Sequence, residues 1–181
     1  QDKVLRRSVE ITAKSRHSDV AVRHPFQAPI DCIQSPTCTG EATMDEGRIS
    51  VGGCMCGEVR YKAVGEPRAV GHCHCHSCRH HTGAPVTTYA AFERERVTFT
   101  KGDRKIYNSS PGVGRAFCGD CGTTLTYESQ EEEWDDLPFI LLHISTFDNP
   151  DDHVPERHWY HEERIAWFEV ADNLPRNAVE T

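Results

Sequence analysis

From Ile49 onward the chain is written in short apolar-rich or alternating stretches separated by turns. Arg48-Ile49-Ser50-Val51 leads into a Gly52-Gly53 pair, and Glu58 to Val64 (EVRYKAV) alternates polar and apolar residues, the pattern of a strand buried on one face. Gly65-Glu66-Pro67 predicts a turn, and Ala69 to Cys73 a second strand. Pro85 to Phe92 (PVTTYAAF) and Arg96 to Thr100 (RVTFT) read as strands by their β-branched and aromatic content. Lys101-Gly102-Asp103 turns the chain into Lys105-Ile106-Tyr107, and further strands are expected at Gly114 to Cys118 and Thr123 to Tyr127. Phe139 to Ile144 (FILLHI) is apolar without alternation, which predicts a central strand buried on both faces. Arg164 to Val170 is expected to be a late strand, and the acidic run Glu128 to Asp136 a solvated loop. A helix is expected only at Ser77–His81, and a short one. The class is therefore mainly β.

Residues 1–48 follow a different pattern. They are polar, carry Pro25, Pro29, Pro36 and Gly40, and lack clean periodicity, so they read as a largely irregular N-terminal extension with a short element around Val4–Ile11. One domain is expected over 49–176, with a tail at 177–181. Phe147 and Trp159 read as exposed apolar residues. At 181 residues the chain is long enough to bury a core of its own. The formal net charge is -8, and residues 1–49 hold seven acids and seven bases, so the excess belongs to the β region. That balance argues against nucleic acid as a partner, which needs a basic footprint. No run approaches the ~18 apolar residues that would span a bilayer, and the opening residues carry no continuous apolar stretch of the signal-peptide kind.

Cysteine spacing changes the picture most. Seven of nine cysteines form three tight clusters: Cys54-Met55-Cys56, then Cys73-His74-Cys75-His76-Ser77-Cys78, then Cys118-Gly119-Asp120-Cys121. Pairs this close suit a soft divalent metal better than a disulfide framework. In a strand, residues i and i+2 share a face, so each Cys-x-Cys would aim both sulfurs one way. Clustered thiols without a secretory leader predict a reducing, cytoplasmic setting. Zinc is the default for all-sulfur ligation, with an iron–sulfur cluster as the rival. Seven sulfurs make one site of four and one of three, and an open fourth position is the mark of a catalytic zinc. The alternative is a histidine as the eighth ligand, for which His72, His74, His76, His80 and His81 are all close in sequence. Cys32 and Cys38 read as accidental thiols of the extension.

These clusters resemble the glutathione-dependent formaldehyde-activating enzyme and centromere protein V family. The resemblance rests on Gly52 to Tyr61 (GGCMCGEVRY), His72 to Arg79 (HCHCHSCR), Gly83-Ala84-Pro85, Arg115 to Thr123 (RAFCGDCGT), and a tail pattern of His158, Trp167 and Asp172-Asn173-Leu174-Pro175. It implies an Mss4-like (β-tent) zinc-binding fold of short antiparallel strands. It implies a closed structural zinc on Cys54, Cys56, Cys118 and Cys121, and a second zinc on Cys73, Cys75 and Cys78 with an open position. The extension lies outside the family pattern.

The implied activity is that of a carbon–sulfur lyase. A thiol such as glutathione ionises at the second zinc and adds to formaldehyde to give S-hydroxymethylglutathione, or the adduct is cleaved in reverse. By sequence proximity His80 and His81, with His76, are candidates for moving the proton, and Arg79 for binding a substrate carboxylate. Two other readings stand beside it: the same zinc chemistry on a carbon–heteroatom bond of another small molecule, and a non-catalytic zinc-stabilised binding module.

Overall fold

The computed structural model describes residues 47–134 and 137–177. The expected extension, with Cys32, Cys38 and the element at Val4–Ile11, lies outside the described residues, as does the end of the 177–181 tail. Among the described residues ten strands and one α-helix follow in order: β1 (Ile49–Gly53), β2 (Arg60–Val64), β3 (Ala69–Cys73), α1 (His76–Thr82), β4 (Thr87–Glu93), β5 (Val97–Lys101), β6 (Arg104–Ser110), β7 (Val113–Cys118), β8 (Thr124–Trp134), β9 (Leu137–His143) and β10 (Arg157–Trp159). They form a three-stranded sheet, β1-β2-β5, and a seven-stranded sheet, β10-β3-β4-β9-β8-β7-β6. The mainly β class and the short helix after the second cysteine cluster are as expected. All pairings are antiparallel except β10 with β3, which run parallel.

The continuous apolar run of β9 explains itself in the sheet. Ile140 and Leu142 join Ala90 and Phe92 of β4 in one buried cluster, which also takes Tyr61, Ala63 and Val97 from the small sheet. The alternate residues, Phe139 and Leu141 of β9 with Tyr89 and Ala91 of β4, join a second cluster with Cys73, Cys78 and Trp159. Period-two alternation thus puts an apolar core on each face of the large sheet, and a strand buried on both faces has no polar side to alternate with. Each large apolar side chain so buried contributes about 1.5–3 kcal/mol. The Tyr61 hydroxyl closes the small-sheet side with a 2.7 Å hydrogen bond to the Thr146 hydroxyl.

Three expectations fail. The acidic run is not a loop up to residue 134: β8 continues through Trp134 and pairs with β9 as far as Trp134↔Leu137, with a register shift between Glu128 and Glu133. Backbone pairing with a strongly apolar partner strand outweighs the weak β preference of glutamate. Glu128 itself is half-buried and accepts two hydrogen bonds from the Arg104 guanidinium, at 2.8 and 3.0 Å. Arg164 to Val170 forms no strand. Arg176 instead donates to the carbonyls of Val170, Asp172 and Leu174, so a side chain satisfies backbone acceptors that a ladder would have used. Phe147 and Trp159 are buried, at 5% and 1% exposure. Among the described residues, no helix is long and apolar enough to cross a membrane.

Candidate metal centres and active site

The first cysteine centre is assembled from two distant loops. After β1 the chain turns tightly: the Cys54 amide donates to the Val59 carbonyl and the Gly57 amide to the Cys54 carbonyl, both at 3.0 Å. The Val59 amide donates to the Cys54 sulfur at 3.2 Å. At the end of β7 the Gly122 amide donates to the Cys118 carbonyl at 3.0 Å, and Gly122 takes φ +75°, which an L side chain resists. The four sulfurs of Cys54, Cys56, Cys118 and Cys121 lie within 4.8 Å of one another. Cys54–Cys56 and Cys56–Cys118 are 3.4 and 3.7 Å apart. A tetrahedron with metal–sulfur arms of about 2.3 Å has an edge of about 3.8 Å, whereas a disulfide needs about 2.05 Å. Thr123 donates to Cys121 through hydroxyl and amide, which draws that thiol down to about 5.

The second centre is local. Cys73 ends β3, Cys75 caps α1 with its sulfur accepting from the Cys78 amide at 3.3 Å, and Cys78 is buried in the first turn of the helix. The spacing therefore works through a strand-to-helix turn. The shared strand face expected for Cys-x-Cys is used in neither pair, since Cys54 and Cys56 also lie in a turn. The three sulfurs are mutually within 4.8 Å. Cys75 and Cys78, and then burial, push the Cys73 thiol up. Hydrogen bonds from Cys73 and Cys75, with the charge of Arg115, draw Cys78 down. Three thiols so packed do not all ionise unaided, and a divalent cation is what lets them. Both donor sets fit a soft divalent metal.

The turn is clamped from the C-terminal side. The His74 amide donates to the Trp159 carbonyl at 3.0 Å. The buried His74 ring meets His158 (Nε2 to Nδ1, 2.8 Å), and His158 meets the Asp172 carboxylate at 3.1 Å. Burial, then His158 and His161, lowers His74 to about 4. Asp172 also accepts from the Leu174 amide and the Arg176 guanidinium, which outweigh its burial and hold it near 2.

The predicted non-cysteine residues fall in other places. Among the described residues no histidine joins either sulfur cluster. His72 bonds the Thr88 hydroxyl at 2.9 Å, His76 and His80 stack on each other at the surface, and the half-buried His81 faces His143. Arg79 directs its guanidinium to the carbonyls of His74 and Glu163, at 2.8 and 3.0 Å. None of Arg79, His80 and His81 lines the cavity that adjoins the second centre.

That cavity has a volume of about 340 Å³, and Cys73, Cys75 and Cys78 all border it. Its other walls include Tyr89 of β4, Arg115 of β7, Tyr127 of β8, Leu141 of β9, Trp159 and Tyr160. The Arg115 guanidinium is buried, donates to the Cys78 sulfur at 3.5 Å and the Ser109 hydroxyl at 3.1 Å, and lies 5.1 Å from the Tyr127 ring centre. Trp159 packs against Gly71, where a β-carbon would come within 2.9 Å of the indole. The sequence reading missed Arg115, although it opens the third cysteine motif; Tyr89 and Trp159 carried no local signal.

The family model for the glutathione-dependent formaldehyde-activating enzyme matches residues 49–163. An uncharacterized lyase of Schizosaccharomyces pombe is 33% identical over 76 residues, 42% of this chain and 55% of the relative, so the match spans about half the relative's length. A crystal structure of a Rhodobacter sphaeroides protein aligns with a TM-score of 0.46 at 17% identity, over 70% of this chain and 99% of that one. Matched by the family model over both cysteine centres and the cavity between strands and tail, the chain belongs to the glutathione-dependent formaldehyde-activating enzyme family.

Proposed function

We propose that the chain is a zinc-dependent carbon–sulfur lyase that makes and breaks the bond between a small thiol and an aldehyde carbon, as between glutathione and formaldehyde. The observation that carries this reading is that all three cysteines of the second centre border one cavity, so a metal held there would keep a side toward a ligand. The lyase name of the fission-yeast relative points the same way. Seven cysteines free of disulfides among the described residues suit a reducing compartment such as the cytoplasm.

Zinc bound by Cys73, Cys75 and Cys78 would supply the charge that ionises an incoming thiol at neutral pH. Arg115 sets a buried positive charge against the sulfur cluster and fixes Cys78. The Asp172–His158–His74 chain holds the turn that carries Cys73 and Cys75. Tyr89 places a phenol in the cavity wall beside Cys78, able to donate to a ligand oxygen. In the forward reaction the proton leaves the thiol, sulfur bonds to the aldehyde carbon, and the carbonyl oxygen becomes a hydroxyl. The reverse reaction restores thiol and aldehyde, with no oxidation or reduction.

The test is exchange NMR on formaldehyde mixed with glutathione or with 2-mercaptoethanol, with and without the metal-loaded chain. Faster interconversion with either thiol, lost in Cys75→Ser, supports the reading. No acceleration with either, from a protein carrying two metal ions per chain, overturns it.

A further inference from the structure

The cavity also bears on which thiol enters it. At about 340 Å³ it lies near the small end of the ~300–1,000 Å³ usual for ligand sites. Its wall sets the rings of Tyr89, Tyr127, Trp159 and Tyr160 beside the neutral hydroxyls of Ser77, Ser109 and Ser110. Its one lining cation, Arg115, is already set against Cys78 and Ser109. Its one lining carboxylate, Glu163, accepts from the His76 amide at 2.7 Å. Glutathione brings two carboxylates and an ammonium. Within these walls its carboxylates would meet the sulfur cluster and Glu163 with no uncommitted cation, and an unpaired charge is costly to desolvate.

Two buried donors point to the complementary group. Among the described residues the buried Tyr89 hydroxyl has only the Cys78 sulfur, a weak acceptor, beside it, and the buried Trp159 indole nitrogen has no partner. An indole N–H only donates, so what it lacks is an acceptor. A buried donor left unpaired costs about 1–3 kcal/mol, which a ligand oxygen would recover.

Resting on the lyase reading above, we propose that this site takes the hemithioacetal of a compact, uncharged thiol in preference to that of glutathione. The thiol carries one aryl or alkyl group for the aromatic walls, and the carbinol oxygen is the acceptor that Tyr89 and Trp159 lack.

The test uses the full chain loaded with Co²⁺, whose thiolate charge-transfer and d–d bands report a thiol joining the three-cysteine centre. Benzyl mercaptan and glutathione are titrated separately, each referred to its thiolate concentration. The expected result is a Kd at least ~10-fold lower for benzyl mercaptan, a difference of about 1.4 kcal/mol. Glu163→Gln keeps an acceptor for the His76 amide and removes one negative charge. It should tighten glutathione several-fold and move benzyl mercaptan by less than about twofold. With formaldehyde added, the benzyl adduct, whose sulfur can no longer ionise, should displace the bound thiolate measurably, and Tyr89→Phe should weaken that competition while leaving the Kd of the parent thiol within about twofold. Glutathione binding as tightly as benzyl mercaptan overturns this proposal and leaves the lyase reading standing. A cobalt spectrum that neither thiol alters overturns both.

Discussion

The two cysteine centres use the same donor atom on opposite faces of one sheet. Cys54 and Cys118, with Cys121 packed on them, belong to the apolar cluster shared with the small sheet, whereas Cys73 and Cys78, with Cys75, belong to the cluster under Trp159. The first centre ties together sulfurs 62 residues apart, as in Cys56 and Cys118, and links the small sheet to β7. The second is contained within Cys73–Cys78. Closing the longer loop removes about 2 kcal/mol more chain entropy from the unfolded state. Their surroundings differ too. The face of the first buries Thr146 against Tyr61 and His153 against Phe92 and Phe147, away from the sulfurs, whereas the face of the second sets a buried Arg115 and the Tyr89 hydroxyl directly beside Cys78. On the function proposed above, the centre with the longer reach would serve stability and the local one, which borders the cavity, would serve chemistry.

Removing one sulfur from each centre is the most direct way to break that comparison. Cys118→Ser should abolish the cooperative unfolding transition, because a structural zinc site supplies binding energy on the order of 10–16 kcal/mol in small folds. Cys75→Ser should keep the strand signal in circular dichroism, lose one of two bound metal ions and lose turnover. Melting curves and metal counts on the two proteins decide it. If Cys75→Ser unfolds as Cys118→Ser does, both centres are structural and the division of labour is wrong.

The clamp behind the second centre predicts a smaller, selective effect. Asp172→Asn keeps the shape of the side chain and removes the charge that His158 and Arg176 face. Partners that orient a metal-bearing segment are worth about 10–100-fold in metal affinity. Chelator-driven metal release should therefore become clearly biphasic, with one ion leaving about 10–100-fold faster and the other unchanged. A uniform acceleration of both would mean that the tail supports the whole fold and not this turn.

How much of this was legible in the sequence depends on how local each signal is. Cysteine spacing and strand alternation are local: they mark the seven candidate ligands, β2 to β5 and the buried β9 run, while the division of the seven between two sites is what the family resemblance implies. The cavity wall is not local: Tyr89, Arg115, Tyr127 and Leu141 come from β4, β7, β8 and β9, and only the order β4-β9-β8-β7 sets them side by side. Arg79 and His80 follow Cys78 directly in sequence, yet neither borders the cavity, and the Arg79 guanidinium is spent on the carbonyls of His74 and Glu163. Trp159 looked exposed among polar neighbours, but its parallel pairing with Cys73 buries it against the cysteine turn. The glutamates of β8 read as a loop because their pairing partner, β9, comes later in the chain and nothing within the acidic run marks it as paired.

Acid should act on the second face through His143. Burial, then the nearby His81, lowers His143 to about 3, against ~6.5 in an unfolded chain. Between those values the unfolded chain binds a proton that the folded chain refuses, so stability is full above ~6.5 and falls as pH drops toward 3. From pH 7.5 to 5.5 this one group costs about 1.4 kcal/mol. His143→Leu removes that contribution while leaving the thiolates and other histidines in place. Urea unfolding at the two pH values should show the wild type losing about 1.4 kcal/mol more than the variant. Equal losses would mean that His143 is hydrated or paired in the folded protein.

The smallest effect is the sharpest probe of which centre carries stability. Gly122, in the turn of the first centre, and Gly83, which ends α1 beside the second, both have positive φ (75° and 68°) with nothing within 4 Å of an added β-carbon. Alanine at either position meets the same left-handed strain, about 1–2 kcal/mol, and no steric clash. In Gly122→Ala that strain sits between Cys118 and the strand leaving Thr123, so it opposes closure of the four-sulfur set. It should lower Tm and weaken metal at the first centre together. In Gly83→Ala it falls on a helix end whose amide caps the Arg79 carbonyl, so Tm should fall by a similar amount while the first centre keeps its metal affinity. Metal competition on the two variants separates the cases. If both weaken the first centre equally, the centres are coupled through the sheet, and the division between a stabilising site and a reacting one would have to be drawn elsewhere.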